Sequence, residues 1–349
     1  MAKQLWKGNE AVAEGAIRGG CNFYAGYPIT PSTEVMEYLS WRMPEVDRVF
    51  IQAESELAAI NMMIGASVCG SRVLTATSGP GGALMTEGMS YASRSLIPFV
   101  VLNVQRWGTG LGTLDSGQTD YFKDTKGPGH GDFRNIVFAP ASIQELVDTA
   151  YEAWDVAERY RIGVTILSEG YLGQMMEEVE IPPFKAIHKR DWEIDGSGKA
   201  SPGSVSHMEN VDIQKKTLEK ICLEMQRWED YCLEDADFVL VAFGLPGRVS
   251  IDAVKKMRKQ GIKAGMIRPK TIWPYPIDAF VKINPHVKGL ISVESTDNGM
   301  MVEDVALCAK KLKLNVPVYC YPHGKGVPGV GVVIDFYRSV ENGSIKERF

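Results

Sequence analysis

Residues 26–33 read Gly-Tyr-Pro-Ile-Thr-Pro-Ser-Thr. Pro28 and Pro31 each fix φ and remove a backbone donor, so this segment is a rigid turn and not the middle of a helix or of a central strand. Tyr27 and Thr30, each preceding a proline, are pushed to extended geometry. Ser32 or Thr33 can then cap a helix over about residues 34–41. The Thr30 hydroxyl is thereby carried on a stiff loop just ahead of a helix N-terminus. Unpaired N–H groups there suit a carboxylate or a phosphate. An ordinary loop leading into a helix has the same local signature.

The chain around this turn alternates strands and helices. Residues 8–19 read as a helix closed by Gly19 or Gly20, and residues 21–25 as a strand feeding the proline turn. Residues 48–52 form a second strand, and Ala53-Glu54-Ser55-Glu56-Leu57 opens a helix of small apolar residues to about Val68. Residues 72–77 are β-rich and run into Ser78-Gly79-Pro80-Gly81-Gly82, with a helix expected over residues 83–93. Strand, glycine turn and helix can bring N–H groups against an anion, although a tight turn alone explains the glycines. Residues 99–104 are apolar but for Asn103, as in a strand buried on both faces, and end at Gln105-Arg106. Residues 108–134 form a long connection, a kind that tends to be functional. Residues 135–139 and 162–167 are further strands, separated by a helix that the capping box Ser142-x-x-Glu145 opens.

Composition shifts to Pro, Gly, Ser and charge over residues 181–212, read as an interdomain connection, and a polar helix is expected over about 212–234. A second alternating unit follows, with strands at 238–243, 264–267, 290–293 and 316–320, helices at 249–260 and 300–312, and loops at 269–276 and 324–331. A chain of 349 residues exceeds one typical core. The expected fold is therefore α/β with two doubly wound domains, 1–180 and 236–349, joined by 181–235. Ligands in such sheets sit beyond the carboxyl ends of the strands, which gathers the loops at 26–33, 53–56, 78–82 and 105–134 at one edge.

Cysteines at 21, 69, 222, 232, 308 and 320 include no Cys-x-x-Cys, and the five histidines show no metal spacing, so no metal or cluster is expected in this chain. A net charge of −5 gives no basic field for nucleic acid. No apolar run nears the roughly 20 residues of a membrane span, and no secretory leader is visible; the expected location is the cytoplasm.

Tyr27-Pro-Ile-Thr-Pro-Ser32, Glu54-Ser-Glu56, Thr77-Ser-Gly-Pro-Gly-Gly82 and Asn103-Val-Gln-Arg106, in this order, resemble the α subunit of 2-oxoacid:ferredoxin oxidoreductases. The resemblance covers essentially the whole chain, including Gly289-Leu-Ile-Ser-Val-Glu294. It implies a pyrimidine-binding domain of the thiamine-diphosphate type followed by a transketolase C-terminal-like domain. The segment from Arg106 to Asp132 is most similar to the branched-chain, 3-methyl-2-oxobutanoate type. Arg106-Trp107-Gly108 departs from the more glycine-rich run expected after the arginine.

The resemblance implies CoA-dependent oxidative decarboxylation of a 2-oxoacid, or its reverse, with thiamine diphosphate as cofactor and ferredoxin as electron acceptor. Glu56, with Glu54 as the alternative, is similar to the family glutamate that hydrogen-bonds the aminopyrimidine, a general acid/base device. Thr30 and Arg106 resemble the residues that bind the substrate carboxylate, for which the arginine fork is suited. Tyr27, Pro28, Ile29, Ser78 and Gly79 are implied cofactor contacts. Trp107, Tyr121, Phe122 and His130 are candidates to line the substrate pocket, although aromatic residues are commonly plain packing.

The chain has no Gly-Asp-Gly with a downstream Asn, the pattern that holds Mg²⁺ and diphosphate in thiamine enzymes. By resemblance, a β subunit carries the diphosphate-binding domain, a γ subunit and a ferredoxin-like δ subunit join it in a dimer of hetero-oligomers, and Mg²⁺ and [4Fe-4S] clusters sit in these partner subunits. Three readings stay open: the same chemistry on 2-oxoglutarate, indolepyruvate or an aryl glyoxylate; a half-site of a transketolase-like or lipoyl-linked dehydrogenase; and a non-catalytic scaffold subunit.

Overall fold

The computed structural model of the protein describes residues 3–186 and 207–349. Its strands, in chain order, are β1 (Gln4–Lys7), β2 (Phe23–Gly26), β3 (Val49–Gln52), β4 (Val73–Thr77), β5 (Phe99–Gln105), β6 (Ile136–Phe138), β7 (Gly163–Glu169), β8 (Met176–Val179), β9 (Trp228–Tyr231), β10 (Phe238–Val241), β11 (Ala264–Pro269), β12 (Thr271–Trp273), β13 (Gly289–Glu294) and β14 (Val318–Pro322). They form a seven-stranded sheet in the order β12-β6-β7-β5-β4-β2-β3 and a five-stranded sheet in the order β14-β13-β10-β11-β9, with β1 and β8 paired as an antiparallel ribbon. Each large sheet is parallel except at one edge, where β12 opposes β6 and β9 opposes β11. Helices cover both faces of each sheet, so the fold is α/β and doubly wound twice over.

The faces of the larger sheet differ in chemistry. Leu74, Ala76, Val100, Leu102, Val104, Val164 and Ile166 pack on the helices Gly8–Arg18, Thr33–Glu45 and Ile143–Tyr160. The opposite face follows from register: Thr75, Val101 and Thr165 lie level, then Thr77, Asn103 and Leu167, then Gln105 and Glu169. In a parallel sheet, residues in register share a face. That face therefore turns from apolar to polar toward the carboxyl ends of its strands, and the polar residues are buried.

Several local expectations are corrected. The expected connection at 181–212 lies largely outside the described residues, and the polar helix spans His207–Glu224. It stops there because residues 228–231 form the edge strand β9, whose Glu229 pairs with Arg268 at 2.6 Å; Glu229, expected within the polar helix, is a strand residue facing a buried cation. The proline-containing loop at 269–276 holds β12, which leaves the second unit and joins the first sheet. The helix after the proline turn runs Thr33–Glu45, and Ser32 does not cap it with its side chain; its Oγ donates back to the Ile29 carbonyl at 2.8 Å. The glycine turn is itself helical, Gly79–Leu84, followed by Thr86–Arg94, and the helix expected at 249–260 starts earlier, as Gly244–Lys259. The long connection contains the short helix Tyr121–Thr125.

Candidate active site

The strands β3, β2, β4 and β5 end side by side and parallel, so their following loops meet at one edge. The contacts between those loops are direct. Ala53 N–H donates to the Gly26 carbonyl at 2.9 Å. Arg106 reaches the proline loop and donates from Nη1 to the Thr30 carbonyl at 3.3 Å, and from Nη2 to the Gly110 carbonyl at 3.3 Å. Its Nε lies 3.2 Å from where a Gly79 Cβ would stand, and Gly79 has φ +41°, so this close pass over the turn suits glycine. Arg106 is 5% exposed, and among the described residues no carboxylate pairs with it. A surface ion pair is therefore not its role. The Thr30 side chain is exposed at the loop tip beside it.

Glu56 opens the helix Glu56–Val68 and is 5% exposed, whereas Glu54 lies in the exposed part of the preceding loop. Ser55 Oγ caps the helix by accepting from Ala58 N–H at 3.2 Å, so the Glu56 carboxylate is free of capping duty. It lies against Gly81, where a Cβ would collide with Oε1 and approach Thr77 Oγ1 to 2.6 Å. No hydrogen bond or ion pair to a described residue satisfies this carboxylate. The Thr77 and Ser78 hydroxyls are also buried without a partner among the described residues. Buried polar groups are nearly always paired, so a bound donor is called for at this spot.

Beneath the glycine turn stands a polar cluster that the sequence reading missed. Asp120 Oδ2 accepts from Gly79 N–H at 3.2 Å and from Asn103 Nδ2 at 3.1 Å. Asn103 Nδ2 also donates to Asp124 Oδ2 at 2.7 Å, and Lys123 Nζ donates to Asp124 Oδ1 at 2.7 Å. Burial pushes the Asp124 carboxyl above its ordinary range; the Lys123 ammonium opposes this and Asp120 adds to it. The signal for these residues was two aspartates four apart, on one face of a helical turn inside a connection read as irregular. They hold Gly79, and through it the floor under Arg106.

The other sequence-predicted residues are dispersed. Tyr27 is exposed on the proline loop, with Pro28 and Ile29 half-buried beside it. Trp107 is half-buried, and its Nε1 donates to Asp297 Oδ1 at 3.0 Å, across to the second sheet. Tyr121 is fully buried in the core of the second sheet, packs on Phe243, and donates to Asp304 Oδ2 at 2.6 Å; it is a packing residue and lines no open pocket. Phe122 packs against the same core. His130 lies apart from Thr30, Arg106 and Glu56, in the wall of a cavity of about 920 Å3 between the helices Thr86–Arg94 and His207–Glu224. Its Nδ1 meets Ser90 Oγ at 2.9 Å. Among the described residues no group of three His, Cys, Asp or Glu side chains is placed to hold a metal ion, and no helix is long and apolar enough to cross a membrane.

Comparison with known proteins agrees with this geometry. Residues 14–227 match the pyruvate flavodoxin/ferredoxin oxidoreductase, thiamine-diphosphate-binding family, and residues 236–329 match pyruvate:ferredoxin oxidoreductase core domain II. The ketoisovalerate oxidoreductase subunit VorB of Methanothermobacter marburgensis is 41% identical over 322 residues, 88% of this chain and 90% of that protein. The 2-oxoglutarate synthase subunit KorA of Archaeoglobus fulgidus is 36% identical over 330 residues, 90% of this chain and 94% of that one. A solved 2-oxoglutarate:ferredoxin oxidoreductase from Magnetococcus marinus superposes with a TM-score of 0.83 at 26% identity, over 97% of this chain and 65% of that longer chain. A split-gene transketolase, at a TM-score of 0.57 and 12% identity, shares the fold. On these matches the chain belongs to the pyruvate flavodoxin/ferredoxin oxidoreductase family, as the proline turn and the glutamate behind it had implied.

Proposed function

We propose that this chain is the α subunit of a CoA-acylating 2-oxoacid:ferredoxin oxidoreductase that acts on 3-methyl-2-oxobutanoate. The observation that carries the reading is the pairing, at one sheet edge, of a buried carboxylate and a buried guanidinium that are not partners of each other or of any described countercharge: Glu56 and Arg106. Glu56 lies against Gly81 and Arg106 passes over Gly79, so two unneutralised charges of opposite sign flank one glycine turn; they fit a ligand with a basic heterocycle and a substrate with a carboxylate.

The residues present fit the pyrimidine half of thiamine diphosphate. Among the described residues Glu56 has no donor, Gly81 leaves its oxygens uncovered, and the Thr77 hydroxyl stands at the same spot without a partner. Bound thiamine diphosphate supplies the carbon nucleophile that 2-oxoacid decarboxylation needs. Glu56 holds and returns a proton at the pyrimidine ring nitrogen, as a general acid/base. Tyr27, Pro28, Ile29, Ser78 and Gly79 would contact the bound cofactor, as the resemblance implies. Arg106 binds the substrate carboxylate through its fork and Thr30 adds its hydroxyl, so the acid is oriented before carbon dioxide leaves.

The α subunit is half of the site. The segments around it, loop and helix alike, expose large apolar side chains: Tyr27, Leu57, Leu84 and, at 88% exposure, Leu111. An apolar rim around a charged centre fits a partner that closes over it and excludes water. That partner is the β subunit with the diphosphate and Mg²⁺ site; a γ subunit and a δ subunit with [4Fe-4S] clusters complete a cytoplasmic complex that reduces ferredoxin. The branched-chain substrate rests on the resemblance of residues 106–132 and on the 41% identity to a ketoisovalerate oxidoreductase subunit. The test is anaerobic, CoA-dependent viologen reduction by the reconstituted complex across a panel of 2-oxoacids. Preference for 3-methyl-2-oxobutanoate is expected. Preference for 2-oxoglutarate, indolepyruvate or an aryl glyoxylate discards the substrate and keeps the chemistry, and no reduction with any acid discards both.

A further inference from the structure

Gln118 is fully buried in the segment that follows Arg106, and every polar atom of its side chain is engaged. Nε2 donates to Glu169 Oε1 at 3.0 Å and to the Phe243 carbonyl at 3.1 Å, and Oε1 accepts from Ser295 N–H at 3.0 Å. Its own N–H donates to the Ser295 carbonyl at 2.8 Å. One residue thus ties the end of β7 to the ends of β10 and β13 in the second sheet. Glu169 completes the tie by accepting from Leu245 N–H at 3.0 Å. Nearby links run the same way: Gly326 N–H donates to the Ser116 carbonyl at 2.7 Å, and Trp107 Nε1 donates to Asp297.

The next residue carries the tie to the site. Thr119 Oγ1 donates to the Arg106 carbonyl at 2.8 Å, and Trp107 N–H donates to the Asp115 carbonyl at 2.6 Å, which pinches residues 107–115 into a closed loop. Arg106 in turn holds Gly110 and Thr30. Hydrogen bonds from Ser295 and Phe243 to Gln118, the peptide link to Thr119 and the bond from Thr119 to the Arg106 carbonyl therefore tie the second sheet to the backbone that carries the guanidinium at the sheet edge.

Resting on the functional reading above, we infer that Gln118 is a positioning residue for substrate-carboxylate binding: it sets the orientation of Arg106 by strapping the loop behind it to the second sheet. The second sheet thereby shapes an affinity to which it contributes no contact. Loss of the strap lets Arg106 move, which weakens the hold on the 2-oxoacid and leaves Glu56 and the CoA step as they were.

The experiment compares the wild-type complex with Gln118→Ala and with Thr119→Val, which removes the next link alone. For both variants, the KM for the 2-oxoacid is expected to rise roughly tenfold, the effect of one or two hydrogen bonds, with kcat and the KM for CoA within about twofold. Amide exchange across residues 106–115 is expected to quicken in both. The double variant is expected to be no worse than the poorer single one, because the two act in series. An unchanged KM for the 2-oxoacid in an assembled complex, or a fall in kcat alone, overturns the inference. Failure of Gln118→Ala to assemble leaves Thr119→Val to decide by the same criterion. A wild-type complex inactive on every acid removes the functional reading, and exchange across residues 106–115 then decides whether Gln118 holds the strap.

Discussion

The carboxylate of Glu56 lies against the Cα of Gly81, with no room for a Cβ between them. A glutamate at a helix start and a glycine in a turn after another strand thus form one unit.

Replacing Glu56 by Gln removes the exchangeable proton and keeps the shape. Turnover of the reconstituted complex is expected to fall about 10²- to 10⁴-fold, the usual weight of a general acid/base. The same change at exposed Glu54 is expected to leave turnover within about twofold. Steady-state viologen reduction measures both. Equal losses at the two positions would remove Glu56 from its role, and full activity of Glu56→Gln would favour the scaffold reading.

Arg106→Lys keeps the charge and loses the fork. A lysine amine cannot donate in-plane to a carboxylate while also holding the Thr30 carbonyl. The KM for the 2-oxoacid is expected to rise roughly ten- to hundredfold, the range of a lost charge-assisted hydrogen bond. A KM unchanged in the lysine variant would show that no carboxylate binds there.

Gly81→Ala and Gly65→Ala make a matched pair. At Gly81 a methyl would drive into the Glu56 carboxylate, so a loss of about 1–3 kcal/mol in chain stability and a fall in turnover are expected. Gly65 lies within the helix Glu56–Val68 with nothing within 4 Å of a new methyl, so a gain of about 0.4–1 kcal/mol is expected. Urea unfolding of the chain reads both signs.

Glu169 gives a pH signature. Burial pushes its carboxyl up to about 7, against the hydrogen bonds from Leu245 and Gln118. The folded chain therefore holds this proton between its ordinary value of 4.5 and about 7, where the unfolded chain has released it, so this group makes stability fall as pH rises through that window. Glu169→Gln, which keeps the acceptor and never ionises, is expected to match the wild type below pH 4.5 and to be more stable at pH 8 by about 1–3 kcal/mol. Paired unfolding curves at the two pH values test the difference, and a difference independent of pH would show that Glu169 is not neutral in the fold.

Most strands of the two sheets were legible because parallel strands buried on two faces read as largely apolar runs, as at β5 and β13. The clustering of four loops at one edge then followed from the rule for open parallel sheets. What failed was local or crossed the chain. Ser32 looked like a cap, but its hydroxyl found a nearer carbonyl in the proline turn. Glu54 and Glu56 differ in burial only once the helix start is placed by Ser55. β9 and β12 are four and three residues long and exist because of partners distant in sequence, which no window of residues reveals. Tyr121 reads equally as pocket or packing until Asp304 is seen beside it.

The excursion of β12 into the first sheet bears on how such a gene could be divided. Lys270, just before that strand, accepts from Ala139 N–H at 2.8 Å, and Arg268 shares its guanidinium between Glu145 of the first unit and Glu229 of the second. Two polypeptides cut apart between β8 and β9 would each expose a raw edge that the other alone can cover. They would meet again as a tight pair rather than drift off as independent modules, so a fission of this gene would conserve the assembly while adding one more name to its list of subunits.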